Sequence, residues 1–133
     1  MARKSLQGLS GIAKTIAQEA IVLLKNDGIL PLQKDSVRTV AVIGANADRK
    51  HAGAGGSSQV KAFYEITALE GLRTRLGDGV EITYAPGYEI AREAEANPDL
   101  IAEAVAAASS ADAVIYVGGL IHGYTDAWED NAF

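Results

Sequence analysis

The order of hydrophobic patterns along the chain restricts its fold more than any other feature of the sequence. Three segments carry apolar residues at helical spacing, and three others, rich in β-branched or alternating apolar residues, are predicted strands. The predicted helices are 5–26, 67–76 and one that begins at 97–98, and the predicted strands are 37–43, 80–84 and 111–119. Such alternation predicts parallel strands joined by right-handed crossovers. We expect an α/β fold: a three-layer, partial doubly wound parallel sheet with helices on its faces, in flavodoxin-like strand order.

Individual residues predict where these helices begin and end. Thr67 and Glu70 have the spacing of a capping box, and Asn97 before Pro98 is typical of a helix start. Gly28 follows the first helical segment and suits a left-handed C-terminal cap. Pro31 lacks an N–H group, so the short apolar segment around it is predicted to be an extended connector rather than a central strand.

Length and composition limit the class of protein. The chain has 133 residues, so a single α/β domain over 1–133 is expected. A net charge of −5 argues against nucleic-acid or anionic-membrane partners, and the apolar runs are too short to span a bilayer. The absence of cysteine excludes disulfides, thiolate zinc sites and a cysteine nucleophile. No signal peptide is visible, which would make the protein cytoplasmic if Met1 is the native start.

A glycine-rich loop after the first predicted strand is the first candidate site. It spans residues 44–58, and long loops in compact domains are often functional. Loops at the carboxyl ends of parallel strands bind ligands in α/β folds. The loop has no correctly placed dinucleotide fingerprint and no P-loop ending, so nucleotide binding is disfavoured. A bland surface loop is an equally good interpretation of the residues alone.

The polar segment after the third predicted strand is the second candidate site. It contains one of the two histidines, the single tryptophan and three carboxylates, in residues 122–131. A carboxylate beside an aromatic ring can act as a general acid, and aromatic faces suit sugar stacking. From spacing alone, a solvated acidic segment is the more ordinary interpretation. His51 and His122 are far apart and no HExxH motif occurs, so no metal and no cofactor are expected.

The third predicted strand leaves an apolar edge that the following residues do not obviously cover. Parallel strands are normally buried on both faces. Either another chain covers this edge or the sequence is part of a longer protein. Because an unprotected edge invites pairing, we expect the isolated chain to be at least dimeric or marginally stable.

Several segments together resemble a known family. Residues 19–28, 30–32, 40–48, 55–58, 66–72 and 111–119 are similar, in this order, to the second domain of glycoside hydrolase family 3. The resemblance covers essentially the whole chain, and its most specific parts are the segments 21–26 and 30–32. It identifies the chain as the N-terminal half of the family's C-terminal α/β-sandwich domain, without the TIM barrel and the later strands.

The resemblance implies an activity and two alternative catalytic residues. Family members are retaining exo-acting β-glucosidases, β-xylosidases or N-acetylglucosaminidases, whose barrel carries the nucleophilic aspartate. In many members the acid/base is a glutamate shortly after the third strand of this domain, and one arrangement is His-x-Tyr-Thr-Glu followed by Asp-Asn. The position of this glutamate is occupied here by Asp126, whose side chain is one methylene shorter. If the loop is aligned as in other members, the acid/base position is Glu129 instead. Both are kept as candidate catalytic residues.

The same resemblance implies substrate contacts and partners. The candidate substrate-binding residues are Lys50, His51, Gly55, Ser57, His122, Tyr124 and Trp128. The implied partners are a β-linked glucoside or oligosaccharide, and either the missing barrel or a homo-oligomer covering the sheet edge. Retaining hydrolysis needs two carboxylates about 5 Å apart, of which this chain supplies at most one, so the chain alone is expected to be inactive. The alternatives are a self-associating α/β module that binds a sugar or a partner and, more remotely, a small-nucleotide binder.

Overall fold

The computed structural model describes residues 2–51, 62–91 and 94–119. The chain divides into two compact units, Met1–Leu32 and Gln33–Phe133. Among the helices described, none combines the length and the apolar character needed to cross a membrane.

The first unit contains one helix, α1, over Ala2–Glu19. The predicted continuation of this helix to Asn26 is wrong, since residues 21–26 have no regular structure. Ile21 and Val22 are β-branched and disfavour helix. Further on, Oδ1 of Asn26 accepts hydrogen bonds from the backbone N–H of Gly28 and of Leu30, at 3.1 and 3.0 Å. These bonds stabilise a local turn that competes with helix.

Gly28 belongs to this turn and not to a helix cap. Its φ of +94° lies in the region that glycine adopts at little cost, as the sequence suggested, but eight residues separate it from the end of α1. The segment around Pro31 contains no strand, in agreement with the prediction.

In the described residues of the second unit, three strands form a parallel sheet. The elements of this unit, in chain order, are β1 (Thr39–Ile43), α2 (Ala68–Leu76), β2 (Glu81–Ala85), α3 (Pro98–Ser109) and β3 (Ala113–Tyr116). The strand order is β2-β1-β3, and β1 pairs in parallel with both neighbours. This is the start of the flavodoxin-like order, so the predicted α/β parallel sheet is confirmed. β1 and β3 are shorter than their predicted segments because ladder pairing covers only part of each apolar pattern, whereas β2 has the predicted length and is shifted by one residue.

The two helices cover opposite faces of β1. Val40 and Val42 pack with Leu69 of α2 on one face, and neighbouring residues complete that cluster. The other face is built from alanines: Ala41 and Ala85 of the sheet pack with Ala104 and Ala107 of α3. Both helices begin as predicted. Thr67 and Glu70 form the reciprocal capping box of α2, and Asn97 caps α3 ahead of Pro98.

Within the described part of the chain, the strand β3 is covered on one face only. Ile115 belongs to the α2-side core, whereas Val114 and Tyr116 on the opposite face are 48% and 63% exposed. Within the described residues, β3 pairs with β1 alone, so its other edge is unpaired. The apolar edge expected from the sequence is therefore present in this part of the chain.

At the amino end of the sheet, Asp112 joins the starts of β1 and β3. Its Oδ2 accepts hydrogen bonds from the backbone N–H of Arg38 and of Thr39, at 2.8 and 2.9 Å. Its own N–H donates to the Thr39 hydroxyl at 2.9 Å. The bonds from Arg38 and then Thr39 hold the pKa of the Asp112 carboxyl below the ordinary aspartate value.

Replacing Asp112 with asparagine is expected to lower stability in a pH-dependent way. Since the pKa is lowered in the folded state, the stabilisation is present above the unfolded pKa, near 4, and is lost as pH falls through the folded pKa. The urea midpoints of the wild type and Asp112→Asn should therefore differ more at pH 7 than at pH 3. Asp78→Asn, the same change in an exposed turn, is the control. Equal midpoint differences at both pH values would contradict this expectation.

Candidate functional site

Three loops meet where the parallel strands end. The first begins at Gly44 after β1, the second at Pro86 after β2, and the third at Val117 after β3. Gly44 donates a backbone hydrogen bond to Ala85 on one side, and Val117 donates one to Ile43 on the other. This carboxyl edge is where open α/β sheets bind ligands.

Asn46 lies at the centre of these loops. It belongs to a 3₁₀ turn over Ala45–Asp48 and is only 2% exposed. Its Nδ2 donates to the Gly119 carbonyl at 3.0 Å and to the Tyr88 hydroxyl at 3.0 Å. Because a carbonyl can only accept, the amide nitrogen must face Gly119. The buried Oδ1 has no hydrogen-bond partner among the residues that the structure describes, an arrangement that is costly in a group serving stability alone.

The Tyr88 hydroxyl completes the connection between the three loops. It accepts from the backbone N–H of Asn46 at 3.3 Å, as well as from Nδ2, and donates to the Val117 carbonyl at 3.2 Å. A phenol hydroxyl offers one donor and two acceptor positions, so all are used. The ring of Tyr88 also lies 6.4 Å from that of Tyr116, centroid to centroid and tilted by 51°.

His51 and Lys50 are the two predicted substrate-binding residues that the structure describes. Nε2 of His51 lies 3.2 Å from the Asn46 carbonyl oxygen. Since this carbonyl only accepts, Nε2 carries the hydrogen, and in the corresponding neutral tautomer Nδ1 has a lone pair. Such a nitrogen can accept a hydrogen bond from a hydroxyl group. Lys50 follows the same turn and is exposed.

A second group of contacts connects the β1 loop to the start of α2. The Thr67 hydroxyl donates to Oδ1 of Asp48 over a long 3.4 Å while accepting from the backbone N–H of Glu70. Partial burial, and then the negative charge of Asp48, raise the pKa of the Tyr84 hydroxyl. Asp48 thus places one negative charge on the side of the site that faces α2.

The other predicted site residues lie outside the described part of the chain. These are Gly55, Ser57, His122, Tyr124, Asp126, Trp128 and Glu129. Their roles stay predictions. Across residues 2–51, 62–91 and 94–119, no group of three histidine or carboxylate side chains is placed to hold a metal ion.

Tyr88 is a site residue that sequence reasoning missed, and Asn46 was noticed only as part of a loop. The position of Tyr88 in the sequence could have indicated its role, because it lies three residues beyond the end of β2. Parallel strands end at one edge, so polar residues shortly after each strand converge there.

Comparison with known proteins decides the family. The sequence pattern of the glycosyl hydrolase family 3 C-terminal domain matches residues 21–131, most of the chain. The chain belongs to this family.

Three similar proteins illustrate the relationship. A β-glucosidase from Bacteroides ovatus, BoGH3A, is 37% identical over 123 residues, covering 81% of this chain and 16% of that protein. A β-xylosidase from Formosa agariphila is 37% identical over 118 residues, covering 83% of this chain and 16% of that protein. The solved structure of a β-glucosidase from Erythrobacter marinus superposes with a TM-score of 0.64 at 35% identity, covering 80% and 17% of the two chains. The family 3 chain thus spans about a sixth of the length of these two curated relatives.

Proposed function

We propose that this chain is part of a retaining, exo-acting β-glycosidase that hydrolyses terminal β-linked sugars, and that it supplies the acid/base loop and a pocket-mouth loop. The observation that supports this most directly is the family match over 21–131, together with relatives that are a β-glucosidase and a β-xylosidase. The convergence of three loops at the carboxyl edge, held by Asn46, is consistent with a site there.

In the proposed mechanism the chain contributes one of two carboxyl groups. Asp126 or Glu129 protonates the departing glycosidic oxygen while a barrel aspartate attacks the anomeric carbon. The same residue then acts as a base and removes a proton from the water that releases the sugar. Lys50 and His51, with Gly55 and Ser57, would contact sugar hydroxyls. The lone pair on Nδ1 of His51 suits this role.

The remaining proposed contacts lie beside the catalytic candidates. His122 and Tyr124 would position the leaving group or the sugar through hydrogen bonds. Trp128 would stack on a sugar ring, which offers an apolar face to an aromatic side chain. In this proposal the chain is a single α/β domain over 1–133, which forms the N-terminal half of a larger sandwich domain. The unpaired edge of β3 is covered by the rest of the enzyme or by another copy of the chain.

The test grafts this chain into an active relative. Residues 21–131 replace the matching segment of the Bacteroides ovatus β-glucosidase. The 133-residue chain alone, which is expected to be inactive, is the negative control. Asp126→Asn and Glu129→Gln are compared with Asp130→Asn as the matched control. Loss of the acid/base residue should lower kcat/KM about 10²–10⁴-fold for an alkyl glucoside, whose poor leaving group needs protonation. A dinitrophenyl glucoside, whose leaving group needs none, should lose much less in its first step.

Two results would contradict the proposal. If neither Asp126→Asn nor Glu129→Gln alters the dependence on leaving group in an active chimera, this segment does not carry the acid/base residue. If the pure 133-residue chain hydrolyses an aryl β-glucoside, and either substitution abolishes the activity, the requirement for a barrel is wrong.

The exposure of Val114 and Tyr116 favours a second candidate, a stand-alone α/β module that binds a sugar or a partner and associates with itself. Gel filtration of material from the source, with antibody detection, separates the two. Migration within a much larger hydrolase supports the glycosidase proposal. Migration near 14 kDa or a small multiple supports the module.

A further inference from the structure

We propose that Tyr88 is a positioning residue for the acid/base segment, acting through Asn46 and the backbone of residues 117–119. This inference rests on the proposed function, since it assigns the acid/base role to Asp126 or Glu129. Tyr88 itself contacts neither the substrate nor the reacting atoms in this proposal. Its hydroxyl fixes the point from which the catalytic segment leaves the sheet.

The hydrogen bonds of the site show how this point is fixed. Val117 is held by its own N–H to Ile43, at 2.7 Å, and by its carbonyl to the Tyr88 hydroxyl, at 3.2 Å. Gly119 is held by its carbonyl to Nδ2 of Asn46, at 3.0 Å. The Tyr88 hydroxyl takes part in holding both carbonyls. It donates directly to Val117, and it accepts from the Asn46 amide that donates to Gly119.

Residue 118 has no room for a side chain. A methyl group placed on Gly118 would come within 2.7 Å of Cε1 of Tyr116, whose ring in turn lies beside that of Tyr88. The backbone therefore passes close over Tyr116 between its two anchored carbonyls. Asp126 follows Gly119 by seven residues, so the anchored carbonyls of Val117 and Gly119 are the last fixed points that the structure describes before the acid/base segment.

The unpartnered Oδ1 of Asn46 argues that this arrangement is not optimised for stability alone. A buried amide oxygen without a donor destabilises the folded state. Sites that depart from local optimisation are often functional. The orientation of the amide is instead determined by Nδ2, which points towards Tyr88 and Gly119. A misplacement of about 1 Å at a catalytic group can reduce the rate about 10²-fold, which gives such positioning a large effect.

The first experiment uses the 133-residue chain and asks whether the coupling exists. Tyr88→Phe removes only the hydroxyl, and Tyr116→Phe is the matched control, since no hydrogen bond of the Tyr116 hydroxyl is seen within the described residues. In Tyr88→Phe, hydrogen exchange of the Asn46 backbone amide, which donates to the Tyr88 hydroxyl, and of the Val117 amide should speed up at least about tenfold, and the NMR signals of residues 117–119 should shift. Tyr116→Phe should leave the exchange of these groups near wild type. Equal effects of the two substitutions would overturn the proposal.

The second experiment measures catalysis in the Bacteroides ovatus chimera described above. A displaced general acid should matter most when the leaving group needs a proton. We expect Tyr88→Phe to lower kcat about tenfold or more for the alkyl glucoside, with much less change for the dinitrophenyl glucoside and little change in KM. A purely structural defect would lower the active fraction and therefore reduce both activities equally, which would overturn the positioning role.

The outcomes of the two proposals are separable. If Asp126→Asn and Glu129→Gln leave the leaving-group dependence unchanged, the proposed function fails regardless of Tyr88. If one of them changes that dependence while Tyr88→Phe matches Tyr116→Phe, the acid/base assignment stands and the positioning role of Tyr88 is wrong.

Discussion

Gly44→Ala should destabilise the folded chain more than any other single-methyl addition considered. Gly44 has a φ of +119°, a conformation that L side chains rarely adopt. A methyl group there would overlap the Val117 carbonyl oxygen and lie 2.9 Å from the carbonyl carbon. Both atoms are backbone and are held by the pairing of β3 with β1, so they cannot move aside cheaply. Backbone strain and overpacking each cost about 1–3 kcal/mol, which predicts a loss of roughly 4 kcal/mol.

Urea unfolding followed by circular dichroism measures this loss. Gly79→Ala is the matched control, because a methyl group at Gly79 meets no atom within 4 Å. Its effect should stay within about 0.5 kcal/mol. If Gly44→Ala fails to fold while Gly79→Ala folds normally, the loss of stability exceeds the predicted value and the prediction is also supported. A Gly44→Ala midpoint equal to that of the wild type would show that Gly44 and Val117 are not in contact as described.

Leu69→Ala is expected to have the second large effect. Leu69 is 1% exposed and joins α2 to Val40 and Val42 of the central strand. Truncation removes the packing between this helix and the sheet and leaves a cavity in the middle of the core. Buried leucine-to-alanine changes cost about 2–5 kcal/mol, and we expect a value near 3 because the surrounding strand is held on both sides.

The same change at an exposed leucine provides the comparison. Leu24 is 93% exposed, so Leu24→Ala should change the free energy of unfolding by less than about 0.5 kcal/mol. Thermal and urea unfolding of both variants would give the difference. A large loss in Leu24→Ala would mean that this side chain is buried in solution, for example by self-association. A small loss in Leu69→Ala would contradict the described core.

Local chemistry made much of the fold predictable. The capping box at Thr67 and Glu70 and the Asn97–Pro98 start depend on side chains bonding to nearby backbone, so sequence alone locates them. The parallel sheet followed from the alternation of patterns. The end of the first helix was misplaced because residues 20–25 continue the apolar spacing of a helix, whereas Asn26 stabilises a turn through bonds that spacing does not reveal.

The candidate site was less predictable, for a physical reason. Its central contacts join residues far apart in sequence, with Asn46 reaching Tyr88 and Gly119. No local pattern encodes such a contact, and only the convergence of strand ends gives a hint. The family resemblance was confirmed, whereas the assignments at Asp126, Glu129 and their neighbours remain predictions.

The alanine-built interface between the sheet and α3 has a consequence for how this domain can vary. Ala41 and Ala85 meet Ala104 and Ala107 with no side chain beyond Cβ to rearrange, so any larger residue must push the whole helix outward. On the opposite face, the core contains valines and leucines, so a smaller side chain at one position can be compensated by a larger one beside it. The two helix–sheet interfaces should therefore tolerate substitution to different degrees. On the α2 side, a change in the size of one residue can be compensated by a change in its neighbour. On the α3 side, the alanines fix the distance between helix and sheet, so larger residues should not be tolerated.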